Sequence, residues 1–189
     1  MTQTRGLPIQ DDSDAAVVAR VLAGDAGAYA ILVARYRAAY ARYAVRMLGN
    51  REDAEEVLQD AFVRGYRSLA RCDEPERFGS WLFRILANRC RTAGTRRGRR
   101  EQTFVRDELA LLGASEDHPA ERAAWREEIQ RALLRLDGEQ REAFLLKHVE
   151  EMGYDEMAEL TGVGVSALKM RVKRACERLK VLLQEVQGA

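Results

Sequence analysis

At 189 residues and a net charge of +1, the chain has room for one or two domains, and its average charge singles out no class of partner. With only three prolines and abundant Ala, Leu, Arg and Glu, it is expected to be all-helical. Three cysteines without a CxxC pair and two histidines argue against a disulfide scaffold and a zinc site. No cofactor is therefore expected. The polar, acidic start lacks a signal-peptide layout and no apolar run reaches membrane length, so a soluble cytoplasmic protein without membrane insertion is expected.

Residues 1–12 read as a disordered leader. Ser13 or Asp14 then caps a short helix stopped at Gly24, and Asp25 caps a long one through Leu48. In the long helix Tyr29, Leu32, Val33, Tyr36, Tyr40, Tyr43 and Met47 recur at three and four, which makes a core stripe. Gly49 closes it and Asn50 caps a third helix, expected to run from Arg51 to about Ala70. There Ala54, Val57, Leu58, Ala61, Phe62 and Leu69 form the inner stripe. Glu52, Asp53, Glu55, Glu56, Gln59 and Asp60 crowd the outer face of the first three turns. Acids at a helix start favour the macrodipole, and the same acids would also dock a basic partner surface.

Ala70–Arg77, broken by Pro75, reads as a loop before a helix beginning near Phe78. Phe78, Trp81, Leu82 and Ile85 point inward, while Arg84, Asn88 and Arg91 share a side. Arg89, Arg91, Arg96, Arg97, Arg99 and Arg100 follow one another without an acid, the layout of a phosphate-binding face backed by a core. From Glu101 to about Asp117 the pattern weakens into a linker, with one short amphipathic turn around residues 104–112. As a random coil, about 20 residues would span on the order of 25 Å. Pro119 suits the first turn of a helix ending at Asp137-Gly138, and Glu139–Val149 forms another.

The stretch Gly153–Lys180 carries the sharpest signal. Its first helix starts near Tyr154, with Gly153 as N-cap and Glu156 reaching back to it. Met157, Ala158 and Leu160 form the apolar face, and Gly162 supplies the left-handed turn. A second helix opens near Ser166, buries Leu168 and Val172, and presents Lys169, Met170, Arg171, Lys173 and Arg174. This is a helix-turn-helix, whose second helix enters the major groove and offers long cationic side chains to guanine edges and phosphates. A plain helical hairpin with solvated cations is the simpler alternative.

The chain resembles a bacterial RNA polymerase sigma factor of the extracytoplasmic function group in the sigma-70 family. The residues that carry the likeness are Glu56-Val-Leu-Gln-Asp-Ala-Phe62 with Tyr66-Arg67, Trp81-Leu-Phe-Arg-Ile85 with Asn88, Arg141-Glu142, Tyr154-Asp-Glu-Met-Ala158, and Leu168-Lys169 with Arg171 and Arg174-Ala175. It implies two small helical domains joined by a flexible linker, the second holding the helix-turn-helix. A sigma-2-like domain would span 13–100, a linker 101–118 and a sigma-4-like domain 119–189. Core RNA polymerase (its β′ coiled coil and β flap), promoter DNA and an anti-sigma factor are the implied partners, and no covalent chemistry is implied. Asp53, Glu56, Gln59, Asp60 and Phe62 would grip the β′ coiled coil. The loop with Arg71 and Cys72 would hold a flipped base of the −10 element against Asn88. Arg84, Arg91, Arg96 and Arg97 would hold phosphates at the melting point. Ser166, Lys169, Met170, Arg171, Lys173 and Arg174 would read or clamp the −35 element.

Cys72 stands where the family often has an aromatic, Ala167 where Thr is usual, Asp137 where Pro is usual, and Cys176 where Arg is usual. These departures bear on which promoter is read. A thiol switch through Cys72 and Cys90 is a minor possibility, since both fall on the expected DNA-facing surface. An ordinary helix-turn-helix regulator, dimeric on a palindrome, would leave the acidic helix unexplained. An enzyme would need a triad, a phosphate-cradling Gly loop or metal-ligand spacing, and the sequence has none.

Overall fold

The computed structural model describes residues 13–97 and 119–187, all-helical and without a strand among them. The expected leader and linker, with its amphipathic turn, lie outside the described residues. Helix α1 (Asp14–Leu22) starts where the Ser13 hydroxyl accepts the Ala16 N–H at 3.3 Å. Asp25 accepts the Ala28 N–H at 3.2 Å and opens one 3₁₀ turn that runs straight into α2 (Tyr29–Leu48). Gly49, at φ 80°, ends α2 in the left-handed conformation. Asn50 accepts the Asp53 N–H at 2.7 Å and starts α3 (Arg51–Arg67).

Helix α3 stops short of the expected Ala70. The Ser68 hydroxyl donates to the Arg64 carbonyl at 2.7 Å, and two 3₁₀ turns, Leu69–Arg71 and Pro75–Arg77, carry the chain into α4 (Phe78–Arg97). The tyrosine stripe of α2 is core. Tyr29, Tyr40 and Tyr43 are buried, Tyr43 completely. Tyr29 donates to the Phe62 carbonyl at 2.9 Å, Tyr40 to the Gly79 carbonyl and Tyr36 to Asp14, which satisfies their polar tips, whereas the Tyr43 hydroxyl has no hydrogen-bond partner among the described residues. Two helix glycines permit this closeness. A Cβ at Gly65 would sit 2.6 Å from Leu82 and 2.9 Å from the Tyr29 hydroxyl, and one at Gly79 would strike the Tyr36 ring at 2.7 Å.

The second domain comprises α5 (Pro119–Leu134), α6 (Gly138–His148), α7 (Tyr154–Thr161) and α8 (Val165–Gln187). Helix α5 ends three residues before the expected Asp137. The Arg141 guanidinium donates to the carbonyls of Leu133, Leu134 and Leu136 at 2.8–3.1 Å, fastening the end of α5 and the turn after it. Asp137 instead opens α6, accepting the Glu139 N–H at 2.9 Å. Leu145, Leu146, Met157, Leu168 and Leu182 fill the space between α6, α7 and α8. The two domains touch: α2 packs on α5 and α6, and α4 on α6.

Candidate nucleic-acid interface

The helix-turn-helix is built by local chemistry. The Gly153 N–H donates to the Glu156 carboxylate at 2.7 Å, so the cap depends on backbone and Glu156 rather than on a residue-153 side chain. Gly162, at φ 71°, takes the left-handed turn, and the Thr161 hydroxyl donates to the Met157 carbonyl while accepting the Val163 N–H. Leu168, Val172 and Ala175 then pin α8 to the bundle. On its outer face Ser166, Lys169, Met170, Lys173 and Arg174 are all exposed, spaced as neighbours on one side of a helix. Arg171 departs from that face: it is half-buried and ion-paired with Glu139 on α6. It braces the recognition helix as much as it projects from it.

Tyr154 contributes a contact that the pattern of charges did not reveal. The ammonium groups of Lys147 on α6 and Lys169 on α8 lie 5.0 and 5.6 Å from its ring centroid. Both distances are within cation–π range. An aromatic at the start of the first motif helix, one residue after the glycine cap, was the available signal.

On α4, Arg84 and Asn88 are exposed and Arg91 is half-buried. Arg91 donates to Asn88 at 2.9 Å and holds Glu142 of α6 through two bonds, at 2.7 and 3.1 Å. Arg89 turns the other way and pairs with Asp60. Arg96 and Arg97 occupy the last turn of α4, and their side chains lie outside the described residues. Arg71 is exposed in its 3₁₀ turn, whereas Cys72 is 7% exposed, with its thiol donating weakly to the Glu74 carbonyl at 3.7 Å.

The expected surface position of Cys72 and Cys90 is corrected by the fold, because both thiols are buried and Cys90 is fully so. Burial and the charge of Glu142 push the Cys90 thiol up to about 12, and burial also raises Cys72. Thiolate is the reacting form. The half-exposed thiol is Cys176, 3.7 Å from His148 Nε2. Mass-mapped alkylation of the folded chain is expected to label Cys176 at least about tenfold faster than Cys72 or Cys90. Equal rates for all three would show that the first-domain thiols are accessible.

The acidic face of α3 is less bare than the sequence implied. Glu55 pairs with Arg37 of α2, and Asp60 pairs with Arg64 and with Arg89 of α4. Glu52, Glu56 and Gln59 are exposed, and Asp53 bonds back to Asn50 at 2.7 Å. Phe62, which the sequence assigns both to the inner stripe and to the docking set, is 8% exposed and stacks on Tyr40 with ring centroids 6.4 Å apart. Its ring packs beneath the acidic face of α3. No group of three or more His, Cys, Asp or Glu is placed to hold a metal among the described residues. No helix among them is long and apolar enough to cross a membrane.

Comparison with known proteins gives the same outline. Sigma-70 region 2 matches residues 32–100 and Sigma-70, region 4 matches residues 126–179. The sequence is 33% identical to the RNA polymerase sigma factor CnrH of Cupriavidus metallidurans, over 92% of this chain and 95% of that protein. It is 27% identical to the ECF RNA polymerase sigma factor SigW of Bacillus subtilis, over 89% and 96%. Among solved structures, CnrH in complex with the cytosolic domain of CnrY superposes with a TM-score of 0.65 and 29% identity, covering 92% of this chain and 99% of that one.

Proposed function

This chain belongs to the extracytoplasmic function group of the sigma-70 family, and from that premise we propose how its residues divide the work of transcription initiation. A sigma factor promotes initiation by binding core RNA polymerase and promoter DNA. The domain limits we assign are 13–100 for polymerase and −10 element binding and 119–189 for −35 element binding, and the proposed compartment is the cytoplasm.

One observation carries the assignment: two surfaces of opposite sign are held apart on one helical frame. Glu52, Glu56 and Gln59 on α3 form the polymerase-docking face, with Asp53 and Asp60 ordering it through Asn50, Arg64 and Arg89. Ser166, Lys169, Met170, Lys173 and Arg174 on α8 face the −35 element, and Arg171 holds α8 to α6. Arg84, Asn88 and Arg91 on α4, with Arg71, Arg96 and Arg97, serve the −10 element and the melting point. Buried Cys72 shapes the base-holding turn from inside. Flipping a base costs a few kcal/mol in unstacking, so those contacts and the polymerase must together offset it. CnrH was solved with a cytosolic protein domain bound, which supports an anti-sigma protein as a third partner here.

Run-off transcription with purified chain, core polymerase and a cognate promoter tests the assignment. Transcripts are expected to depend on this chain, and Lys169→Ala is expected to cost about 1–3 kcal/mol of promoter binding and to relax −35 preference. A chain that binds duplex DNA as a palindrome-reading dimer yet never engages core polymerase would be a simple regulator instead.

A further inference from the structure

Helices α6 and α8 bring a nucleophile and a base together at the edge of the recognition helix. Cys176 Sγ lies 3.7 Å from His148 Nε2, and the His148 ring is set against Phe144 with centroids 4.9 Å apart. The pair is open to solvent: His148 is exposed and Cys176 half-exposed, whereas Cys72 and Cys90 are buried. A thiol within reach of an imidazole that a third group orients is the arrangement that activates a cysteine. The division of labour proposed for transcription makes no use of it.

The surroundings of the pair are cationic. Lys169, Lys173 and Cys176 recur at four and three along α8 and so fall on one side of it. Lys147 precedes His148 on α6, and its ammonium shares the Tyr154 ring with that of Lys169. Glu177, the acid next to Cys176 in the chain, is itself paired with Lys173 at 3.8 Å. A small anionic molecule is therefore drawn to this edge. Once fixed there, it would confront the phosphates that the same lysines are proposed to meet.

We propose that Cys176 and His148 form a reversible modification site for a carboxylate-bearing, low-molecular-weight disulfide, and that the mixed disulfide turns off duplex binding by α8. This inference rests on the reading that α8 faces the −35 element. In the tautomer protonated at Nδ1, His148 Nε2 takes the thiol proton as Cys176 Sγ attacks one sulfur of the reagent. The new S–S bond forms as the old one breaks, and the departing thiolate recovers the proton from the imidazolium. Cys176 is thereby oxidised to the mixed disulfide, and half of the reagent is reduced and leaves as its thiol. The adduct sets carboxylates one turn from Lys173, where they repel phosphate and give that lysine an intramolecular partner. Excess thiol runs the exchange backwards and frees α8.

The experiment treats the full, reduced chain with glutathione disulfide and maps adducts by mass spectrometry at timed intervals. The adduct is expected at Cys176, forming at least about tenfold faster than at Cys72 or Cys90. His148→Ala is expected to slow that reaction about tenfold while leaving the circular dichroism spectrum unchanged. Neutral hydroxyethyl disulfide, with each rate normalised to free cysteine, should react more slowly than glutathione disulfide at low salt and equally at high salt. The modified chain is expected to bind a −35 duplex at least about tenfold more weakly, equivalent to ~1.4 kcal/mol, until dithiothreitol restores it. Cys176→Ser should bind the duplex equally with and without the reagent. An adduct formed first at another cysteine, a parental rate in His148→Ala, or unchanged duplex affinity after modification overturns the switch. Run-off transcription by the reduced chain reads the sigma-factor assignment separately, so either idea can fail alone.

Discussion

Phe78→Ala is expected to lower the unfolding free energy by about 3–5 kcal/mol, the range for truncating a buried aromatic. Phe78 is fully buried at the first residue of α4. Its ring lies 6.4 Å from Tyr29, 5.8 Å from Tyr36 and 5.8 Å from Trp81, so one side chain joins α2 to α4 from both directions. The cavity cannot collapse easily. Tyr29 is tethered through its hydroxyl to the Phe62 carbonyl and Tyr36 to Asp14, which fixes two of the walls. Urea titration followed by circular dichroism reads the loss as a lower midpoint, and Phe78→Leu, which retains more volume, should recover much of it. A loss below 1 kcal/mol would mean that this cluster relaxes around the hole.

Glu56→Lys is expected to raise the dissociation constant for core polymerase at least about tenfold, equivalent to ~1.4 kcal/mol. The position is chosen by elimination on physical grounds. Reversing Asp60 would set a third cation against Arg64 and Arg89 and disturb the α3–α4 contact itself. Reversing Glu55 would release Arg37. Glu56 is exposed, one turn beyond Glu52 and three residues before exposed Gln59, so its reversal changes the proposed docking face with little effect on packing. The defect should grow at low ionic strength, where surface charge acts over a longer range. The melting curve and duplex-DNA affinity of the same variant should match the parent chain. An unaltered core affinity across salt concentrations would remove α3 from the polymerase contact.

Local signals carried well from sequence to structure, and long-range ones did not. The caps at Ser13, Asn50 and Gly153 with Glu156 were legible because each involves residues within three positions of one another. The spacing of Tyr29, Leu32, Tyr40, Tyr43 and Met47 on α2 gave the buried face for the same reason. Arg91 reads as a free phosphate ligand because its partner, Glu142, lies 51 positions away in the other domain. Nothing local marks that pairing. Asp60 with Arg89 and Arg171 with Glu139 escaped in the same manner, and both turn exposed-looking charges into structural ties. Cys90 was misplaced because a helix's charged face and its apolar back alternate within one turn, and Cys72 because the 3₁₀ turn before it folds its side chain inward. Phe62 shows the limit of motif carry-over: a motif identifies which residues recur together without saying which of them touch the partner.

The ring of Tyr154, flanked by Lys147 and Lys169, has a thermodynamic corollary for DNA reading. A lysine free to sample its rotamers loses about 0.5–1.5 kcal/mol of favourable entropy when a binding partner immobilises it. Here folding itself has already narrowed the swing of Lys169 by giving its ammonium a seat on an aromatic face. In the −35 contact proposed for Lys169, the arm would meet a base edge with less disorder left to surrender, and Tyr154 would add to promoter discrimination without touching the nucleic acid.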